Sequence, residues 1–172
     1  VAVGSSNSFD LIVLGGGTGG YSAAFRAGQL GLKVALIDER PKLGGTCLHI
    51  GCIPTKAMLE SAELFERVQH AADLGVVIEG ARFDYAIAAK RRQQVVDRLA
   101  KGLDSLVKKN KVEHIRGRGT LKGGKKVRVE TLNEEGKRDG ERALDATDVI
   151  LASGSRVKSL PGLEPDGQRI IT

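Results

Sequence analysis

Tryptophan is absent from the 172 residues, and aromatic side chains make up only 3% of them. A core must therefore be built from Ala, Val, Leu and Ile. The same scarcity argues against a nucleic-acid surface. The net charge is +6, and its densest runs are Lys90-Arg91-Arg92 and Lys108-Lys109-Asn110-Lys111. No rings interleave them to stack on bases, so they read as solvated helix faces. No apolar run approaches the roughly 20 residues of a membrane span. Residues 1–9 are small and polar, without the basic region and apolar stretch of a secretory leader. Two cysteines are too few for a disulfide scaffold. The apolar share is 41% and the charged share 28%, which marks an ordered globular chain of about one domain's length.

Glycine is plentiful: 23 residues, about twice its usual share of roughly 7%. Such a chain turns tightly and brings its backbone close to something. Residues 9–14 (FDLIVL) form an apolar run bounded by glycines and read as a buried strand. Residues 18–29 read as a helix closed by Gly31, and residues 33–37 (KVALI) as a second buried strand. This is a βαβ unit with a right-handed crossover. Residues 39–52 read as a loop. A helix is expected from 55 to about 73, with Pro54 in its first turn, followed by a short strand at 76–78. Residues 84–109 form a long amphipathic helix with Ile87, Val95, Leu99, Leu103 and Leu106 at helical spacing and Gly102 as an interruption. Strands are expected at 112–115, 126–130, 142–144 and 149–152, with Gly117-Arg118-Gly119 as a turn and 133–140 as a polar hairpin loop. The fold class is α/β, a central parallel sheet with an antiparallel excursion.

Gly15, Gly17 and Gly20 form G-x-G-x-x-G. The motif alone is weak, but here it follows a strand and opens a helix. Gly15 permits the turn, Gly17 lets a pyrophosphate approach the backbone, and Gly20 lets the helix pack on the strand. Free N–H groups at the helix start then favour the phosphate charge. Asp38, 18 residues after Gly20, ends the second strand, where a carboxylate can accept hydrogen bonds from a ribose. This pattern fits both NAD and FAD, which share the ADP half.

Cys47 and Cys52 are close enough in sequence for a small-loop disulfide. Cys52 adjoins an expected helix start, where the dipole favours negative charge on sulfur. Three readings of the pair stand. Cys47, His49 and Cys52 could ligate a metal, although a fourth ligand is not evident. The thiols could be inert core residues. Or they are a redox couple that exchanges electrons with an adjacent acceptor.

The segment GGTCLHIGCIPTK resembles the active-site signature of the flavin-dependent pyridine nucleotide–disulfide oxidoreductases, and GGGTGGYSAAFRAGQLGLKVALID resembles their N-terminal segment. Within that family the second match is softer and points to members acting on dihydrolipoyl groups, with the glutathione and mercuric reductase types, which have a similar cysteine segment, as the rival within the enzyme class. The resemblance implies a Rossmann-like FAD-binding domain over residues 1–160, the first part of a split domain, and a connector over 161–172 toward an NAD-binding domain. It implies that Gly15, Gly17, Thr18 and Gly20 cradle the FAD pyrophosphate, with Asp38 and Glu39 at the adenosine ribose. Gly44, Gly45, Thr46 and Cys47 would line the flavin side. Cys52 would face the flavin in charge-transfer contact, Cys47 would exchange with the substrate, and Lys56 would lie near the flavin ring. Gly119 would meet the adenine end, and Ala152, Ser153 and Gly154 would approach the FAD.

Four positions depart from the family pattern. Thr18 stands where Pro is frequent, Asp38 where Glu is common, Ser153 where Thr is usual, and His49 where Asn is frequent. His49 reads as a packed or solvated side chain, and neither His70 nor His114 matches the family's acid–base histidine. The resemblance further implies a homodimer, lipoyl domains of 2-oxo acid dehydrogenase or glycine cleavage complexes as partners, no metal, and a bacterial cytoplasmic or mitochondrial matrix location. No second G-x-G-x-x-G occurs. The chain is therefore expected to be truncated and inactive alone, with NAD bound in a missing domain. The rival outside the enzyme class is a nucleotide-binding module with an inert cysteine pair.

Overall fold

The computed structural model describes residues 7–170, so what was read from residues 1–6, and from positions 171 and 172 of the connector, falls outside the described residues. The elements run β1 (Ser8–Leu14), α1 (Thr18–Gln29), β2 (Val34–Asp38), α2 (Gly45–His49), α3 (Cys52–Gln69), α4 (Tyr85–Lys109), β3 (Glu113–Leu121), β4 (Lys126–Leu132) and β5 (Arg138–Leu151). A 3-10 turn, Ala71–Leu74, follows α3.

β1 lies between β2 and β5 and is parallel to both. Two strands are shared between layers. Residues 113–116 of β3 run parallel to β2, and residues 117–121 run antiparallel to β4. Residues 138–145 of β5 pair antiparallel with β4, and residues 145–151 pair parallel with β1. The ladder thereby closes into a barrel of five strands.

The continuous apolar runs of β1 and β2 follow from burial on both faces. Leu11, Val13, Val34 and Leu36 point to the helical side, where Ala24 and Phe25 of α1 and Ala100 and Leu103 of α4 meet them. Ile12, Leu14, Ala35 and Ile37 point the other way, onto Ile115, Val127, Val129 and Leu144. Asn110 caps α4 and is buried, its side-chain amide donating to the Leu106 carbonyl. A Cβ on Gly28 of α1 would fall 2.4 Å from the Asn110 carbonyl oxygen, so α1 and the end of α4 touch backbone to backbone.

Several local expectations are corrected. Gly117-Arg118-Gly119 is not a turn but the middle of β3. Its glycines serve close packing, because a Cβ at Gly117 would lie 2.5 Å from the Glu130 oxygen and one at Gly119 2.5 Å from Leu14 Cδ2. The strands expected at 142–144 and 149–152 are one strand, β5, which starts at Arg138 and stops before Ala152; this shortens the expected hairpin loop. Residues 76–78 form no strand and are exposed. Gly102 does not interrupt α4, since a single Gly costs a helix only about 1 kcal/mol. The buried stripe of α4 is Ala88, Val96, Ala100 and Leu103, whereas Ile87 is 68% exposed. The small alanines let the helix lie close; of the larger residues read from the sequence, Leu103 belongs to the stripe, whereas Leu99 and Leu106, like Ile87, are exposed. Arg91, in the run read as solvated, reaches from α4 to Glu60 and to the Ala57 carbonyl of α3.

Candidate active site

The turn after β1 is built by its glycines. Gly15 has φ +109, a conformation that disfavours side chains, and a Cβ there would lie 2.2 Å from the Ala152 oxygen. Its N–H donates to the Ile37 carbonyl at 2.8 Å, while the Ala152 N–H donates to the Leu14 carbonyl at 2.8 Å. The turn is thus tied to the ends of both neighbouring strands. Gly20 is buried beneath it: a Cβ would sit 1.7 Å from the Gly15 oxygen. Gly17 differs from both. It is the N-cap of α1 with no side-chain cap, and a Cβ there would meet only Gly45 Cα, at 4.0 Å. The first N–H groups of α1 are accordingly free to bind an anion.

Gly17 opens onto a cavity of about 510 Å³. Gly15, Asp38, Glu39, Gly45 and Thr46 line it, as do Gly119, Ala152, Ser153 and Gly154. Arg40, Gly117, Ser155 and Arg156 line it too, though the sequence reading had not singled them out. Arg40 stands two residues past Asp38, the signal that could have found it; nothing local marks Arg156. Thr18, Gly20, Gly44, Cys47, Cys52 and Lys56 are not on the cavity wall.

Asp38 closes β2 half-buried. Its Oδ2 accepts from the Gly16 N–H at 2.6 Å and its Oδ1 from the Arg40 N–H at 2.7 Å. Each oxygen keeps a second acceptor site for a hydroxyl. Glu39 is exposed and pairs with Arg118 at 3.6 Å. A bare glycine, uncapped helix N–H groups, a carboxylate at the strand end and two arginines together fit a dinucleotide with its pyrophosphate at α1 and a ribose at Asp38.

The loop expected between β2 and α3 contains the short helix α2. Gly44 (φ +122) and Gly45 (φ +59) make the entry, and the Gly44 N–H donates to the Gly16 carbonyl at 2.8 Å. Cys47 lies within α2 and Cys52 is the first residue of α3, three residues earlier than the expected helix start. Both are free thiols in this structure, Cys47 half-buried and Cys52 exposed. The neighbouring Cys52 side chain, and burial after it, raise the Cys47 thiol above its ordinary value. Thr18 and the Cys52 backbone act in the opposite direction. Lys56 is exposed, one helical turn beyond Cys52.

His49 is not turned toward the sulfurs, because its Nε2 lies 2.9 Å from the Leu43 carbonyl. Among the described residues no three His, Cys, Asp or Glu side chains gather to hold a metal. His114 on β3 has its Nε2 buried without a partner, and burial lowers its pKa against the opposing pull of Asp38 and Asp104. Among the described residues no helix is long and apolar enough to cross a membrane.

Two vicinal thiols beside a dinucleotide cavity can exchange with a disulfide or dithiol and pass electrons to a bound ring. Residues 9–172 match the family model described as pyridine nucleotide-disulphide oxidoreductase. Over 97% of its length the chain is 48% identical to a dihydrolipoyl dehydrogenase of Zymomonas mobilis and 44% identical to that of Bacillus subtilis, covering 34% and 36% of them. It is 38% identical over 97% of its length to the mitochondrial dihydrolipoyl dehydrogenase 1 of Arabidopsis thaliana, covering 32% of that protein. The chain spans about a third of the length of these curated relatives. With its glycine turn, its dinucleotide cavity and its paired thiols, the chain belongs to the pyridine nucleotide-disulphide oxidoreductase family.

Proposed function

We propose that this chain supplies the FAD- and disulfide-bearing part of an enzyme that oxidises dihydrolipoyl groups to lipoyl groups with NAD as the final acceptor. The observation that carries the reading is the juxtaposition of two sulfurs with a dinucleotide cavity: Gly45 and Thr46 line the cavity, and Cys47 follows them directly. The names of the relatives supply the substrate class. Residues 1–160 act as the FAD-binding portion, and 161–172 as a connector to an NAD-binding part that, with the catalytic base, lies outside this chain.

In this reading the α1 N–H groups, Gly15 and Gly17 hold the pyrophosphate, while the buried Gly20 lets α1 pack under the turn. Asp38 takes the ribose, with Glu39 beside it. Gly119 meets the adenine end through its backbone, and Ala152, Ser153 and Gly154 close the cavity. Gly44, Gly45 and Thr46 would wall the flavin side, Lys56 would lie near the ring, and the exposed Cys52 would face it. When bound, FAD would supply a two-electron acceptor for the thiols and a hydride donor for NAD.

The sulfur chemistry belongs to this chain. A dihydrolipoyl thiolate attacks Cys47 Sγ of the Cys47–Cys52 disulfide; the S–S bond breaks and Cys52 leaves as thiolate with the bonding pair. The second dihydrolipoyl thiol gives its proton to the base and attacks the lipoyl sulfur of the mixed disulfide. The lipoyl ring disulfide forms and Cys47 leaves as thiolate. Two electrons have moved from the dithiol to the cysteine pair, and both substrate protons have been released.

The intact enzyme is a homodimer that takes lipoyl domains of 2-oxo acid dehydrogenase or glycine cleavage complexes. It works in the cytoplasm of a bacterium or in a mitochondrial matrix. Steady-state assays separate the candidate substrates. NAD-dependent oxidation of dihydrolipoamide should exceed turnover of glutathione disulfide or mercuric ion by orders of magnitude; a preference for either of those would overturn the substrate assignment.

A further inference from the structure

Leu43 is 1% exposed, so its carbonyl needs a partner inside the fold. The α2 ladder starts one residue later, where the Gly44 carbonyl accepts from the Leu48 N–H at 3.3 Å. The partner of the Leu43 carbonyl is the His49 ring at the other end of α2, with Nε2 at 2.9 Å. A carbonyl only accepts, so Nε2 carries the hydrogen and donates it. The bond closes the segment 43–49 on itself, with Cys47 inside. Leu43 is in turn anchored on the β1 turn. A Cβ on Gly16 would lie 2.4 Å from Leu43 Cδ2, and the Gly44 N–H donates to the Gly16 carbonyl at 2.8 Å. His49 thus ties the far end of α2 to the wall of the dinucleotide site, just before the chain passes through residues 50 and 51 to Cys52.

We propose that His49 is a positioning residue for the redox pair: its hydrogen bond to Leu43 holds α2, and Cys47 with it, in place while the Cys47–Cys52 bond is open, and so favours closure of the disulfide. The inference rests on the redox couple proposed above and adds a residue to it. In the oxidised pair the S–S bond itself fixes α2 to the start of α3. In the dithiol, the state of this structure, that link is absent, and α2 is held by the burial of Leu48 and by the His49 bond. Releasing the bond gives the dithiol conformational freedom that disulfide formation must then remove. The equilibrium moves toward the dithiol by at most the worth of one such hydrogen bond, about threefold to tenfold.

The test uses the FAD-loaded enzyme, equilibrated anaerobically at one pH with mixtures of reduced and oxidised dithiothreitol. The exchange balances: the two thiols give two electrons and two protons to the cyclic disulfide, the Cys47–Cys52 bond forms, and the dithiothreitol ring opens to its dithiol. Acid quenching, alkylation and mass analysis of the peptide carrying both cysteines count the pair as open or closed. His49→Leu and His49→Ala should each need a mixture about threefold to tenfold richer in the oxidised reagent for half closure, a shift of about 15–30 mV. His49→Gln should close with the wild type, because its amide nitrogen stands as many bonds from Cα as the histidine Nε2. Wild-type midpoints for both Leu and Ala, or a Gln variant that follows Leu, would overturn the inference. A wild-type pair that stays open in every mixture removes the redox couple itself, and this inference with it. The expected His49 dependence in an enzyme that does not oxidise dihydrolipoamide leaves the His49 role standing and removes the lipoyl assignment instead.

Discussion

Alanine at Gly17 and alanine at Gly20 separate two reasons for a glycine. A methyl at Gly17 meets nothing nearer than Gly45 Cα at 4.0 Å, and the φ of −72 there suits any residue. The fold should lose at most about 1 kcal/mol, the cost of a poorer N-cap. The same methyl projects into the space proposed for the pyrophosphate. Pushing the phosphate off the α1 N–H groups forfeits charge-assisted hydrogen bonds of about 1.5–3 kcal/mol each, or roughly tenfold to a hundredfold in FAD affinity. Alanine at Gly20 is the opposite case. Its Cβ would stand 1.7 Å from the Gly15 oxygen, a backbone atom that cannot swing away. The helix must shift off the turn, with an overpacking cost of about 1–3 kcal/mol or more. Calorimetric FAD titration of the apoprotein and its melting by circular dichroism read the two effects. Gly17→Ala should melt as the parent does and bind FAD weakly, whereas Gly20→Ala should melt early. A Gly17→Ala protein with the parent's FAD affinity would refute the placement of the phosphate.

Asp38→Ala should weaken FAD binding by about 1–3 kcal/mol, through loss of the ribose acceptor and of the Gly16 N–H bond that shapes the turn; equal affinity by the same titration would take the acid off the ribose. His114 gives a pH effect of definite sign. Its folded pKa is lowered from 6.5 by burial, so below 6.5 the unfolded chain binds the proton that the folded chain refuses. Stability from this source is intact above pH 6.5 and falls as pH drops through the interval down to the folded pKa. His114→Leu should flatten that interval in melting curves recorded from pH 7.5 to 5, and an unchanged slope would contradict the reading.

The βαβ start of the fold was legible because its signals are unambiguous. Residues 11–14 and 34–37 are apolar at every position since both faces of β1 and β2 are covered there. The class α/β and the antiparallel excursion followed from the same patterning. The errors share a cause. Gly117 and Gly119 look like turn residues in one dimension, yet each is required by a neighbour distant in sequence, Glu130 and Leu14. The length of β5 depends on partners at both ends, β4 and β1, and no local pattern shows that two apolar patches are one strand. In α4, periodicity found the helix and one residue of its buried stripe, Leu103, but missed Ala88, Val96 and Ala100, two of which are small alanines that a search for large apolar residues passes over. In the site, the glycine turn and the cysteines were legible as motifs. The cavity's Arg40 and Arg156 are placed there by the fold.

The central claim is that Cys47 and Cys52 form a redox couple in contact with a flavin held at the β1 turn. The most direct measurement is the visible absorption spectrum of the FAD-loaded enzyme during anaerobic two-electron reduction by dihydrolipoamide. The account predicts a long-wavelength charge-transfer band that rises with reduction and is abolished by Cys52→Ser while FAD stays bound. A band that persists in Cys52→Ser, or a wild-type enzyme that takes up two electrons with no such band, would contradict it.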